Sequence, residues 1–240
     1  MTLSLIAPYA GALPIVASMP TTDAYEQTIA EIQRFRGRIY VQDQAIPASA
    51  LDRSGRHYTK LDYASYHVII RNQEGAITGV MRIPTYVSGA AVWFLQLYHV
   101  LERMEPGQKA LYSFAIQHFI DQSASKYPFI VEPGGWAVDR QISEKLTGTV
   151  LAASCWAFCQ LIGGAVAVAT ATVKHNAADL LRMMGGINCL QGTTNARFFD
   201  SFHQCELELI FFQSDKINPR FAAMVEAIKE QWQQREVVAA

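Results

Sequence analysis

The stretch Val131-Glu-Pro-Gly-Gly-Trp-Ala-Val-Asp-Arg140 decides the fold that we predict. It starts as an apolar strand, but Pro133 donates no ladder hydrogen bond and the glycines after it weaken strand pairing. A helix predicted over 143–161 follows. Unpaired backbone N–H groups on the broken strand, together with the helix N-terminus, are therefore expected to form a site for an anion or a polar chain. A bulged strand entering an ordinary helix is the alternative.

Helices and strands alternate along the rest of the sequence. Predicted helices cover residues 22–41, 94–104, 109–125, 143–161, 175–184 and 217–235. Predicted strands cover residues 66–71, 77–84, 129–138, 165–173, 187–190 and 206–212. The turn at 72–75 joins the first two strands into a hairpin, so the sheet is mixed. These elements predict one α/β domain over 1–240, with an N-terminal extension at 1–21 and a C-terminal helix within 216–240.

Composition excludes several classes of protein. Half of the 240 residues are hydrophobic and 17% are charged, which excludes a disordered chain. The formal net charge of −1 gives no basic field for nucleic acid. No apolar run reaches the roughly 18–20 residues of a membrane span, and residues 1–19 lack the basic start of a signal peptide. The four cysteines form no CxxC pair, so we expect buried thiols in a reducing cytoplasm and no metal site.

Three groups of side chains are candidates for chemistry. Glu132 lies at the break in an apolar strand, where a carboxylate can take a proton from an attacking ammonium. A salt-bridged or surface glutamate is the alternative. The small residues 147–149 admit either a phosphate or a closely packed neighbour. Arg82, in the middle of a strand, and Asp62 are candidates for a pair that holds the carboxylate of an acceptor or fixes the N-terminal part of the fold.

Four short motifs lie between Arg36 and Val138. They are Arg36-Gly-Arg-Ile-Tyr40, Asp62 with Tyr66, Gly79-Val-Met-Arg82-Ile83, and Glu132-Pro-Gly-Gly-Trp136-Ala-Val138. Over about residues 23–212 the sequence resembles the GNAT superfamily, in particular its branch of acyl-homoserine lactone synthases and N-acyl amino acid synthases. The resemblance implies a mostly antiparallel central sheet with a splayed strand pair, flanked by helices. Gly135 stands where that branch has an arginine, which argues against a homoserine-lactone product.

The resemblance also implies an activity. A fatty acyl group would pass from a thioester, carried by acyl carrier protein or CoA, to the primary amine of an amino acid or of a peptide lysine or ornithine. Glu132 would accept the proton, and backbone N–H groups near Trp136 and Val138 would stabilise the oxyanion. No tightly bound cofactor is expected, and the protein would be a monomer or a homodimer. An acetyl-CoA-dependent N-acetyltransferase and a non-catalytic acyl-binding module remain alternatives.

Binding residues follow from the same resemblance and from the small-residue helix start. Those expected to hold the donor are Ala137, Val138, Arg140, Ser143, Thr147, Gly148 and Thr149. Those expected to contact the acceptor or the acyl chain are Arg36, Tyr40, Asp62, Arg82, Trp93 and Phe114. The last two belong to an aromatic-rich segment, 92–120, that is a candidate lining for an acyl tunnel. Ordinary core packing is the alternative for that segment.

Overall fold

The computed structural model describes residues 1–8, 22–188 and 197–234. The helices are α1 (Thr22–Gln42), α2 (Tyr98–Leu101), α3 (Pro106–Ser123), α4 (Thr147–Leu161), α5 (Ala177–Met183) and α6 (Pro219–Gln234). The strands are β1 (Thr2–Ile6), β2 (Ser65–Arg71), β3 (Ile77–Val87), β4 (Phe129–Val131), β5 (Gly134–Val138), β6 (Ala165–Thr172), β7 (Arg197–Asp200) and β8 (Cys205–Gln213). The predicted α/β class with a mixed, mostly antiparallel sheet is confirmed, because β4–β6 is the one parallel pair among the described strands.

The chain divides into two compact units that alternate along the sequence. The first consists of residues 1–84, 133–155 and 224–240. Its strands run in the order β1-β2-β3-β5, all antiparallel. Helix α1 follows a helical apolar period, and its buried stripe packs with side chains of β1, β2, β3 and β5. That stripe is Tyr25, Ile29, Ile32, Phe35 and Ile39.

The second unit consists of residues 85–132 and 156–223. Its strands run from the end of β3 through β4, β6 and β8 to β7. Helix α3 buries Tyr112, Ile116, Phe119 and Ile120 in a core shared with β4, β6 and β8. This unit contains β4 and β6, the two strands that the sequence predicts to separate.

The ladder between β4 and β6 ends where the sequence predicts a break. Its last pair is Val131 with Ala167, and β6 continues to Thr172 with its pairing on the β8 side. After Val131 the chain passes through Glu132 and Pro133, and β5 then pairs with β3. The proline and glycines therefore end one ladder and begin another, as strand-breaking residues do.

Several predicted boundaries are wrong. Residues 2–6 form β1 rather than part of an extension, and β7 was not predicted. The helix predicted over 94–104 is reduced to the 3₁₀ turn Val92–Phe94 and the short α2. Of the strand predicted at 187–190, one bridge from Ile187 to Phe211 forms, and the last two residues lie outside the described residues.

Helix α4 begins at Thr147, four residues later than predicted. The preceding segment forms a turn in which the N–H of Ser143 donates to the carbonyl of Asp139 at 2.9 Å. The Asp139 carboxylate accepts a second bond, from the N–H of Gln141, at 3.0 Å. Because Asp139 holds these N–H groups, the helix starts only after the turn. Helix α6 buries Phe221, Val225, Ile228 and Trp232.

Candidate functional site

A buried pair of opposite charges, Arg36 and Asp62, lies in the first unit. Both terminal nitrogens of Arg36 donate to the carboxylate of Asp62, Nη1 at 2.9 Å and Nη2 at 2.7 Å. The side chains are 1% and 0% exposed. Gln33 Nε2 donates to the same carboxylate at 2.9 Å. Charge-assisted bidentate bonds of this kind are the geometry in which a buried ion pair is stable.

Arg82 adds a second positive charge to this pair. Its Nη1 donates to Asp62 Oδ1 at 3.1 Å, and its side chain is 11% exposed. Its buried Nε has no hydrogen-bond partner among the described residues. We call Arg36, Asp62 and Arg82 the arginine–aspartate cluster. Two guanidinium groups and one carboxylate give it a net charge of +1.

The hydrogen bonds and charges of the cluster determine the protonation state of Asp62. Burial raises the pKa of the Asp62 carboxyl, but the hydrogen bonds and charge of Arg36, with the charge of Arg82, outweigh burial and lower the pKa below its ordinary value. Asp62 is therefore ionised at neutral pH. Tyr40, predicted as a binding residue, packs its ring edge-to-face against His57, with ring centroids 5.4 Å apart. Burial raises the pKa of Tyr40, so its hydroxyl keeps its proton.

His67 supports the cluster from β2 and was not predicted. Its Nε2 donates to the carbonyl oxygen of Asp62 at 2.7 Å. Burial lowers its pKa to about 4, since desolvation disfavours the imidazolium and nearby Arg36 and Arg82 add positive charge. The imidazole is thus neutral at pH 7. An isolated histidine in an apolar strand carries no sequence signal for this position.

Two glycines, Gly135 and Gly79, allow neighbouring side chains to lie close to the backbone. Gly135 has φ +59, and a Cβ built on it would lie 3.3 Å from both Arg36 Nη1 and Arg82 Cβ. A Cβ on Gly79 would lie 2.9 Å from Thr147 Cγ2, in the first turn of α4. A side chain at either position would push β5 or α4 away.

Strand β5 presents one backbone edge away from β3. The N–H of Asp139, just after the strand, donates to the carbonyl of Thr78 on β3 at 3.0 Å. Because peptide groups alternate along a strand, that of Val138 points away from β3, and the register of β5 against β3 shifts between Ala137 and Gly134. Of the other predicted donor residues, Ala137 and Thr147 are buried, Arg140 is exposed, and Ser143, Gly148 and Thr149 are half-buried. The arrangement offers N–H groups on β5 and at the start of α4.

Glu132 lies in the second unit and is buried. Its Oε2 accepts from the N–H of Gln96 at 2.7 Å and from the Tyr86 hydroxyl at 3.2 Å. Its Oε1 accepts from the N–H of Leu97 in a short bond. The carboxylate thus caps the N-terminus of α2, and the alternative of a surface glutamate is excluded.

Trp93 and Phe114 are exposed rather than enclosed. The predicted tunnel lining is therefore wrong for these two rings, which lie on the surface of the second unit. The buried apolar side chains of the same segment, among them Leu97, Leu101 and Ile116, belong to the core. The sequence does not distinguish the exposed apolar side chains from the buried ones, because α3 has apolar side chains on opposite faces.

The described residues contain neither a candidate metal centre nor a helix that could span a membrane. No group of three or more histidine, cysteine, aspartate or glutamate side chains within the described ranges is arranged to bind an ion. Cys155 and Cys159 are buried thiols, Cys205 is half-buried, and Cys189 lies outside the described residues. No helix in that part of the chain is long and apolar enough to cross a bilayer.

Comparison with solved structures identifies the fold, whereas no family model and no curated protein sequence matches the chain. The CoA-dependent acyl-homoserine lactone synthase MesI aligns with a TM-score of 0.57 and 11% identity, over 95% of each chain. A second such synthase, BjaI with SAM and isopentyl-CoA, aligns with a TM-score of 0.55 and 12% identity, over 98% of this chain and 90% of BjaI.

An N-acyl amino acid synthase has the same architecture. FeeM, from uncultured soil microbes, aligns with a TM-score of 0.51 and 10% identity, over 82% of this chain and 94% of FeeM. At such identities the alignment establishes the fold and not the residues of a site. The resemblance predicted from the four motifs is thus confirmed at the level of the fold: this chain folds as acyl-homoserine lactone synthases and an N-acyl amino acid synthase do.

Proposed function

We propose that this protein is an N-acyltransferase that moves an acyl group from a thioester donor to the amine of a free amino acid. The observation that carries the proposal is the strand break after Val131, which leaves β5 with a backbone edge directed away from β3. The solved structures with the same fold support it, since one of them, BjaI, is described with isopentyl-CoA.

The donor binds along β5 in this proposal. The pantetheine arm of CoA or of acyl carrier protein contains amides, and an extended polar chain can add to a strand edge through main-chain hydrogen bonds. Peptide groups of Trp136 and Val138 supply those bonds and stabilise the developing oxyanion. Orphan N–H groups in the first turn of α4, at Gly148 and Thr149, suit a phosphate of the donor.

The acceptor is a free amino acid because of the charge on the arginine–aspartate cluster. Arg36 is occupied by Asp62 and by His57, whose carbonyl accepts from Nη2 at 2.9 Å. Within the described part of the chain the Arg82 side chain makes one hydrogen bond, to Asp62, and it supplies the surplus positive charge. A carboxylate on the acceptor neutralises it through charge-assisted bonds. A peptide lysine offers no carboxylate beside its amine and is the weaker acceptor.

The reaction is a direct transfer. The acceptor ammonium gives a proton to Glu132, directly or through water, and the amine nitrogen attacks the thioester carbonyl carbon. The tetrahedral intermediate collapses as the carbon–sulfur bond breaks. The nitrogen loses its second proton to the departing thiolate and Glu132 releases the first to water, so the products are an amide, a free thiol and one proton.

Mass spectrometry of product formation tests the proposal. The purified protein is incubated with acyl-CoA or acyl carrier protein donors, of short and long chain, and with amino acids or their carboxamides. We expect product from amino acids and little from carboxamides. Glu132→Gln should lower kcat about 10²–10⁴-fold, whereas the exposed Glu206→Gln should leave it unchanged.

Arg82→Gln tests the acceptor assignment by itself. Loss of a charged hydrogen bond should raise KM for the amino acid about 10–100-fold with little change for the donor. Arg82→Lys keeps the charge and should recover part of the affinity. The absence of an acylated product with every donor and amine would contradict the enzyme assignment and favour an acyl-binding module. Product from acetyl-CoA alone would replace fatty acylation with acetylation.

A further inference from the structure

Asp139 is a buried carboxylate at the point where β5 ends. It follows Val138, the last residue of the strand, and is 5% exposed. Its N–H donates to the carbonyl of Thr78 on β3 at 3.0 Å, and its carbonyl accepts from the N–H of Ser143 at 2.9 Å. Its carboxylate accepts from Arg38 Nη1, on α1, at 2.8 Å. Asp139 therefore joins a strand, a turn and a helix, all within the first unit.

The two oxygens of the Asp139 carboxylate have different partners. Oδ2 accepts from Arg38, whereas Oδ1 accepts from the N–H of Gln141 at 3.0 Å. Burial raises the pKa of the carboxyl, but the hydrogen bonds from Arg38 and from the N–H groups of Gln141 and Ile142 outweigh burial and lower it. Asp139 is thus ionised at neutral pH. Because one partner is nearly withdrawn from water, the pair differs from a solvated surface ion pair, which contributes little.

The turn held by Asp139 lies between the two backbone sites proposed for the donor. The peptide group of Val138 comes directly before it, and the first turn of α4, with Gly148 and Thr149, comes after it. The bond from Ser143 to Asp139 closes the turn and so fixes the direction in which the chain leaves β5. The distance between the Val138 peptide group and the start of α4 therefore depends on this turn.

Helix α1 is linked to both ends of β5. Arg36 lies near the beginning of the strand, since a Cβ built on Gly135 would be 3.3 Å from Arg36 Nη1. Arg38 binds Asp139, just after the end of the strand. Residues two apart on a helix point about 200° apart, so the two arginines serve different places. Arg36 belongs to the arginine–aspartate cluster, on the acceptor side, whereas Arg38 belongs to the donor side.

We propose that Arg38 and Asp139 are a positioning pair for the thioester donor. The pair holds the turn after β5, so that the Val138 peptide group and the first turn of α4 bind the donor at the same time. Neither side chain needs to touch the reacting atoms. A displacement of about 1 Å in such a site can cost 10²-fold in rate or affinity. The inference rests on the proposed function, because it takes the donor to lie along β5.

Separate KM values for the donor and for the amino acid test the pair. Asp139→Asn keeps an oxygen for the N–H of Gln141 but loses the charge that binds Arg38, and Asp139→Ala loses both. We expect the donor KM to rise about 10-fold in the first variant and up to about 100-fold in the second, with the amino-acid KM unchanged. Arg38→Gln should match Asp139→Asn, and the double variant should be no worse, because all three remove one interaction.

Glu31→Gln is the matched control. The ion pair of Glu31 with Arg71, at 2.6 Å, also ties α1 to the sheet, but it does so at β2 and away from β5. Both KM values should stay unchanged in this variant. A purely structural role of Arg38 and Asp139 would reduce the amount of active protein, which lowers kcat and leaves both KM values as they are.

Three kinetic outcomes would overturn the proposal. They are an unchanged donor KM, an equal rise in both KM values, and a rise in Arg38→Gln without one in Asp139→Asn. The last would give Arg38 a direct contact with the donor. Circular dichroism confirms that the variants are folded. If Asp139→Ala does not fold, Arg38→Gln decides, because the Arg38 side chain is 47% exposed.

Calorimetric titration with CoA and with holo acyl carrier protein separates this inference from the proposed function. If the wild type makes no product with any donor and amine, the proposed function fails and the titration alone judges the pair. Weaker binding of either probe by Arg38→Gln than by Glu31→Gln would support it. Equal binding by the two variants, or no binding of either probe by the wild type, would overturn it.

Discussion

Asp62 is hydrogen-bonded by both terminal nitrogens of Arg36 while both side chains are almost completely buried. An ion pair withdrawn from water is stable only when its geometry satisfies both charges. Here Gln33 and Arg82 complete the coordination of the carboxylate. Asp62 is thus the residue on which the two arginines depend, and its charge should decide the stability of the first unit.

The first prediction concerns that charge. Asp62→Asn should lower the free energy of unfolding by about 3–5 kcal/mol, because it leaves Arg36 and Arg82 in a buried position without a counter-charge. Urea denaturation at pH 7 measures the change. Asp52→Asn is the control, since the Asp52–Arg56 pair lies in a solvent-exposed turn and contributes little. Equal stability of the two variants would show that the buried charge is dispensable.

The second prediction separates backbone strain from crowding at Gly135. Gly135→Ala adds a methyl group at positive φ and within 3.3 Å of Arg36 and Arg82, so we expect a loss of about 2–3 kcal/mol. Gly75→Ala has φ +84 but open space around it and should cost about 1 kcal/mol. Chemical denaturation compares them. A Gly135→Ala loss no larger than that of Gly75→Ala would mean that the arginines move aside.

The third prediction is a pH dependence of stability that arises at His67. Its folded pKa of about 4 lies below the ordinary value of 6.5, so the unfolded chain binds the proton more tightly. The contribution is complete above pH 6.5 and is lost as the pH falls toward 4. At about 1.4 kcal/mol per pKa unit, the loss reaches roughly 3 kcal/mol. Urea titrations at pH 7, 6, 5 and 4 measure it.

The variant His67→Gln tests whether His67 causes this pH dependence of stability. An uncharged side chain at this position should flatten the dependence between pH 6.5 and 5, whatever its effect at pH 7. Below about pH 4 the Asp62 carboxyl adds its own loss, because its lowered pKa stabilises the fold only while it is ionised. An unchanged slope in the variant would assign the acid sensitivity to other groups.

Sequence was informative where one local property decides the structure. The break near Pro133 follows from a residue without an N–H, and α1 from an apolar helical period; both are confirmed. The motif residues Arg36, Tyr40, Asp62 and Arg82 do lie together in the first unit. A pair of Asp62 with an arginine was one of two alternatives that the residues left open, and Tyr40 was placed with it only by the family resemblance.

Contacts between residues that are far apart in the sequence could not be predicted from local sequence patterns. The helix predicted over 94–104 is short because Glu132, 36 residues away from Gln96, accepts the N–H groups at its start. Nothing in the apolar period of that segment indicates such a cap. Likewise, Trp93 and Phe114 have the residue types of a tunnel lining, and only the packing of α3 places them at the surface.

The last prediction distinguishes this capping role of Glu132 from a catalytic one. Glu132→Ala leaves the N–H groups of Gln96 and Leu97 without their acceptor, and two buried unsatisfied donors should cost about 2–4 kcal/mol. Glu132→Gln keeps one carbonyl oxygen and should lose less than half as much, while Glu206→Ala, on an exposed side chain, should be neutral. Amide hydrogen exchange at residues 96–97 should accelerate in the alanine variant. If Glu132→Ala kept wild-type stability and exchange, the hydrogen bonds would not determine the start of α2, and the buried carboxylate would be retained for proton transfer alone.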